Sequence, residues 1–131
     1  MKGAYVLIVE VRKNLRKKIG KLGILRFKKG SYCYVGSGLG KALSLENRLK
    51  RHLRKKKKLK WHIDYLLSSP YVIVKGFVIF PSEKKNECLI SKEIEKYADE
   101  TIRNFGSSDC KCKGHLHYFK NEEKVLKLFG G

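Results

Sequence analysis

The chain is 131 residues long, enough for one domain with a buried core, and carries 42% apolar and 33% charged residues. Its 31 lysines and arginines outnumber 12 aspartates and glutamates, a net charge of +19 that points to a polyanionic partner. No apolar run approaches the ~18 residues of a transmembrane helix, so a helical membrane span is excluded.

Residues 3–11, "GAYVLIVEV", alternate in the manner of a strand. The stretch "KKIGKLGILRFKKGSYCYVGS" breaks short β-rich pieces with glycines 20, 23 and 30, which predicts two or three further antiparallel strands. Ser44 is a suitable N-cap for a basic helix over 44–60, with Glu46 where the helix dipole favours an acid and Leu45, Leu49, His52 and Leu53 at helical spacing. "WHIDYLLSS" predicts a short helix closed by Pro70, and "YVIVKGFVIF" a buried strand. After Pro81 a helix is expected through about Tyr97, then a strand at "HLHYF" and a closing helix at "NEEKVLKLFGG". The order implies a single α+β domain over residues 1–131: a small mixed, largely antiparallel β-sheet covered by helices.

The charge is lopsided. Residues 1–66 hold 20 basic and 3 acidic residues, whereas 67–131 hold 11 and 9. Heat-adapted lysine-rich surfaces normally interleave glutamate, and here the acids are missing from one half. Nucleic acid, DNA or RNA, is therefore the expected partner. The basic stretches lack the bulky apolar anchors that an anionic membrane surface would need. The sequence names no protein partner. Cysteines 33, 88, 110 and 112 do not make a disulfide scaffold in a protein of this size. The N-terminal apolar run reads as a strand rather than a signal sequence, and the expected location is the cytoplasm.

"YCYVGSGLGKA", residues 32–42, invites a nucleotide-phosphate reading and fails it. A P-loop needs G-x-x-x-x-G-K-[ST], but Gly36 to Gly40 is one residue too short and Ala42 replaces the hydroxyl. A dinucleotide fingerprint needs G-x-G-x-x-G, and the spacing here is Gly36-x-Gly38-x-Gly40. What remains is a strand whose Tyr32 and Tyr34 share a face.

"KGAY" followed by "YVG", then Arg48 and His52 in "LENRLKRH", resembles the GIY-YIG nuclease superfamily, with its paired triplets and Arg-x-x-x-His helix. "YVGSG", "RLKRH", "WHIDYLL" and "FGSSDCKCKGHLHYF" are most similar to a GIY-YIG-like branch known mainly from archaea, over nearly the whole sequence. The resemblance implies a metal-dependent endonuclease. Tyr5 would help activate water, Tyr34 and Arg48 would orient and neutralise the scissile phosphate, and Glu87 would hold one Mg²⁺ or Mn²⁺. Such a set suits a phosphodiester, which needs charge neutralisation and proton removal from water. The basic helix, with Arg51, His52, Arg54, Lys55, Lys57, Lys58 and Lys60, would track the nucleic-acid backbone.

Three features depart from the superfamily pattern. The triplets are far apart, which implies an inserted hairpin near residues 15–27. Ala4 stands in place of isoleucine, and the usual terminal asparagine has no counterpart. The second expectation is accordingly a basic nucleic-acid-binding module of the same fold without turnover, its tyrosines stacking bases or filling the core. Trp61 is expected to pack its helix, with His62 or Asp64 lining a groove as the lesser alternative. Asp109, Cys110, Cys112, His115 and His117 are all metal-ligand types. Their spacings are tighter than C-x₂₋₄-C and H-x₃₋₅-H, so structural thiols or a polar cleft rim are expected ahead of Zn²⁺.

Overall fold

The computed structural model describes residues 2–38, 45–107 and 110–130. Its elements run β1 (Gly3–Val11), β2 (Leu15–Lys18), β3 (Ile24–Phe27), β4 (Gly30–Gly38), α1 (Leu45–Leu53), α2 (His62–Leu67), β5 (Val72–Pro81), α3 (Glu87–Glu95), β6 (Glu100–Ile102), β7 (Leu116–Phe119) and α4 (Glu122–Leu128). Five strands form one sheet in the order β5-β1-β4-β7-β6, and β2 and β3 form a separate hairpin over the 15–27 segment. Every pairing among the described residues is antiparallel. The fold is thus α+β, a small antiparallel sheet covered by helices.

The near-continuous apolar run of β1 follows from its place inside the sheet. Tyr5, Leu7, Val9 and Val11 join Tyr32 and Tyr34 of β4 on one face, where Leu45 and Leu49 of α1 and Ile63, Leu66 and Leu67 of α2 cover them. Val6, with Cys33 and Val35 of β4, faces the other way, against Ile94 of α3 and Val125 of α4. Burying apolar area on both faces is the chief stabilising term, at roughly 25 cal/mol per Å² removed from water.

Three expectations change. β5 is an edge strand rather than a buried one, and Phe77 and Ile79 are 45% and 38% exposed. Its pairing with β1 shifts register between Ile8 and Val9, an irregularity typical of protected edges. The helix expected over 44–60 ends at Leu53, and Ser44, its proposed cap, lies outside the described residues. The Lys57 ammonium donates to the carbonyls of Arg51 and His52 at 3.2 Å each and so closes the C-terminal end of α1. Lys55 donates to the carbonyls of Leu67, Ser69 and Val72 at 3.0, 3.2 and 2.7 Å, and so ties the basic run to the end of α2. The short strand β6, which pairs with β7, carries too little periodic signal to be read from the sequence.

Candidate functional site

β4 continues four residues past its last pairing with β7, at Tyr34↔Leu116. Beyond that point a cleft of about 340 Å³ opens. Tyr34 to Ser37 of β4, Arg48 of α1, Lys60, Trp61 and His62 at the start of α2, Lys85 and Glu87 at the start of α3, and Gly106 and His115 line it. Tyr34, Arg48 and Glu87 therefore share one cavity. The fourth residue of the expected set, Tyr5, does not line it.

The glycine of "YVG" explains where Tyr5 goes. Gly36 pairs with Tyr5 across β1 and β4, and a Cβ on Gly36 would collide with the Tyr5 ring and hydroxyl. The missing side group lets the Tyr5 phenol lie beneath β4, fully buried, 2.7 Å from His52 Nε2. Burial pushes the Tyr5 phenol up, with the nearby Arg48 guanidinium opposing. Tyr34 packs on Tyr5 with ring centroids 6.4 Å apart, and its phenol is likewise raised well above 10.0 by burial. Both rings are protonated donors at neutral pH. Gly106, at φ +70°, sits against Tyr34 where a Cβ would approach its ring at 3.0 Å. Its N–H donates to His62 Nδ1 at 2.8 Å, which leaves the His62 proton on Nε2.

Trp61 organises the cationic wall. The Arg48 and Arg51 guanidiniums lie 4.5 and 4.3 Å from its ring centre, one helical turn apart on α1. Arg51 is held in turn by Asp64 at 2.5 Å and by the Lys58 carbonyl at 2.7 Å. Asp64, fully buried, also accepts the N–H groups of Lys60 and Trp61 at 2.9 and 2.8 Å. Burial alone would raise its carboxyl, but Arg51 and the two amides outweigh that and hold it below the usual range. Asp64 is thus a scaffold residue, His62 lines the cleft, and Trp61, packed against the main core as expected, is also a platform for the two arginines.

The backbone-tracking set also divides. His52 is buried at 2% exposure, and burial lowers its pKa to about 4, so it is a neutral partner of Tyr5 and presents no charge to a strand. Arg51, Lys55 and Lys57 spend their charge on Asp64 and on backbone carbonyls. Arg54 and Lys58 face outward, and with Lys50 and Lys56 they line a second, basic groove of about 380 Å³. Lys60 stands at the cleft. Glu87 is 8% exposed and 3.5 Å from Lys85.

Behind Glu87 lies a second constellation. The thiols of Cys88, Cys110 and Cys112 and a ring nitrogen of His115 all fall within 4.8 Å of one another, an arrangement able to hold a metal ion. This corrects the ligand set expected from the sequence. His117 is directed elsewhere, its Nε2 and Nδ1 each 2.7 Å from the hydroxyls of Ser91 and Thr101. Asp109 lies outside the described residues. The added ligand, Cys88, reads as an apolar position of α3 in the sequence. Its only signal is a third thiol standing upstream of the Cys110-x-Cys112-x-x-His115 group.

Fold and site together define a small α+β domain with a cationic cleft at the end of its sheet and a thiol–imidazole cluster behind one wall. The family model described as "Domain of unknown function DUF123" matches residues 4–130, and the chain belongs to that family. No curated protein and no solved structure matches it. No helix among the described residues is long and apolar enough to cross a membrane.

Proposed function

We propose that the protein is a divalent-cation-dependent nuclease that hydrolyses phosphodiester bonds in DNA or RNA within the cleft, as its resemblance to the GIY-YIG superfamily implies. The observation that carries this is the meeting of Tyr34, Arg48 and Glu87 in one cavity of a strongly basic protein. Arg48, stacked on Trp61, neutralises a non-bridging phosphate oxygen, and its Nε is a buried donor with no partner among the described residues. Tyr34 and the His62 Nε2–H are further donors aimed at a phosphate, preorganised by Gly106. Glu87 is the only carboxylate among the described cleft residues. It fits a hard cation that needs few protein oxygens, with Lys85 as the cation it would displace. Bound there, Mg²⁺ or Mn²⁺ supplies positive charge at the phosphate oxygens. Tyr5, buried under Gly36, is a positioning residue rather than a group in contact with water. The outward Arg54, Lys56 and Lys58 carry the nucleic-acid strand away from the cleft.

A binding module without turnover is the second reading, favoured by the burial of Tyr5 and the pairing of Glu87 with Lys85. Branched, nicked and single-stranded DNA and RNA, incubated with and without Mg²⁺ or Mn²⁺, separate the two. Cation-dependent cleavage lost in both Arg48→Ala and Glu87→Ala supports the nuclease, and cleavage surviving both sinks the site. Salt-sensitive binding with no cleavage establishes the module.

A further inference from the structure

We infer that Cys88, Cys110, Cys112 and His115 form a structural zinc site that fastens the first turn of α3 to the 110–115 loop. The distances match the geometry of that metal. With Zn–S of ~2.3 Å and Zn–N of ~2.0–2.1 Å at tetrahedral angles, neighbouring sulfur and nitrogen ligands stand about 3.6 Å apart and sulfurs about 3.8 Å apart. His115 Nε2 lies 3.8 Å from Cys88 Sγ and 3.4 Å from Cys110 Sγ. All four ligand atoms fit within the 4.8 Å that bounds the group.

The histidine is prepared for the role. Its Nδ1 is 3.2 Å from the Val35 carbonyl, which can only accept, so the proton sits on Nδ1 and the Nε2 lone pair is turned towards the thiols. A carbonyl on the far nitrogen is the usual outer support of a metal-bound imidazole. Val35 in turn donates its N–H to the His115 carbonyl at 2.9 Å. The rotamer is therefore fixed from the sheet.

Ligand chemistry selects the metal and the kind of site. Three thiolates and an imidazole are soft to borderline donors that favour zinc over magnesium, calcium or manganese. Four protein ligands close a tetrahedron and leave no position for water, which marks a structural centre rather than a catalytic one. The tight Cys110-x-Cys112 spacing is no obstacle, because the third thiol comes from α3 and spares the loop from wrapping the ion alone. The three cysteines are only half-buried, so an ion can enter.

The site has a consequence for the cleft. Cys88 follows Glu87 in sequence, and His115 lines the cleft beside it. The metal would therefore hold the carboxylate in place against β4. That consequence rests on the nuclease reading, whereas zinc binding itself does not.

The test uses the purified 131-residue protein. Elemental analysis is expected to find one zinc per molecule in the wild type and in His117→Gln, and none retained by Cys110→Ser or Cys112→Ser. Replacing zinc with Co²⁺ in the wild type should give thiolate-to-metal charge-transfer absorption and the intense visible bands of a tetrahedral ion. Chelation should lower the Tm of the wild type and leave that of Cys110→Ser unmoved. Folded wild-type protein that retains no stoichiometric metal after exposure to excess Zn²⁺ would overturn the site. A cobalt spectrum without thiolate bands would do the same. None of these readouts depends on cleavage, so a zinc-loaded protein without nuclease activity removes the proposed function and leaves the metal site standing.

Discussion

The two walls of the cleft are stabilised by different means. On the α1–α2 side, Trp61, two guanidiniums and a buried carboxylate support one another, and Lys55 and Lys57 close the helix ends with their own ammonium groups. On the α3 side, behind the Lys85 and Glu87 that line the cleft, three thiols and an imidazole gather from α3 and the 110–115 loop. The first wall is complete with side chains alone. The second gains its cross-link only when an ion joins the ligands, because thiols and imidazole attract a metal far more strongly than one another. Phosphate binding and metal retention should therefore respond to different perturbations.

Asp64→Ala gives the largest expected effect. It strands Arg51 beside Trp61 and removes acceptors for two amides, at a cost of about 3–5 kcal/mol in urea denaturation. A variant as stable as the wild type would break the idea of a self-supporting wall. The same pair gives a pH signature. The Asp64 carboxyl titrates below its ordinary 3.8 in the folded state, so its contribution is present above that value and lost as pH falls through the folded pKa.

His52 provides the next effect. Its folded pKa of about 4 lies below the ordinary 6.5, so the unfolded protein binds the proton first. Stability is then full above pH 6.5 and declines towards pH 4, by about 3 kcal/mol for this group. His52→Gln should flatten that part of a Tm-against-pH curve, and an unchanged slope would refute the assignment.

Arg48→Ala is expected to reduce cleavage by about 10²-fold while zinc content stays at the wild-type level. Arg48→Lys should rescue little, since an ammonium lacks the planar face that stacks on Trp61. Joint loss of zinc and cleavage in Arg48→Ala would show the two walls to be one unit.

The smallest effects separate the inward from the outward lysines. Lys58→Ala should leave stability within about 0.5 kcal/mol and lower the salt dependence of nucleic-acid binding by about one phosphate contact. Lys55→Ala should do the reverse, destabilising by about 1 kcal/mol with little change in the salt slope. Equal behaviour of the two would return the whole run to the solvent.

Much of the scaffold is determined locally. The bounds of β1, the strand through Tyr34 and the inward phase of Leu45 and Leu49 follow from apolar periodicity, which a sequence displays directly. The net charge of +19 is likewise a matter of counting. What the tertiary structure decided rests on contacts between distant segments. The basic helix stops at Leu53 because Lys57 caps it and Lys55 reaches α2, and neither choice is encoded in helix propensity. Gly36 matters for the Tyr5 phenol that occupies the space a Cβ would fill, a fact fixed by the register of β1 on β4. Cys88 looks apolar along α3, and it becomes a ligand only when the fold brings Cys110, Cys112 and His115 to its thiol. Tight local spacing argues against a zinc site when one segment must supply every ligand. Three-dimensional assembly removes that constraint, because the fourth ligand comes from another element altogether.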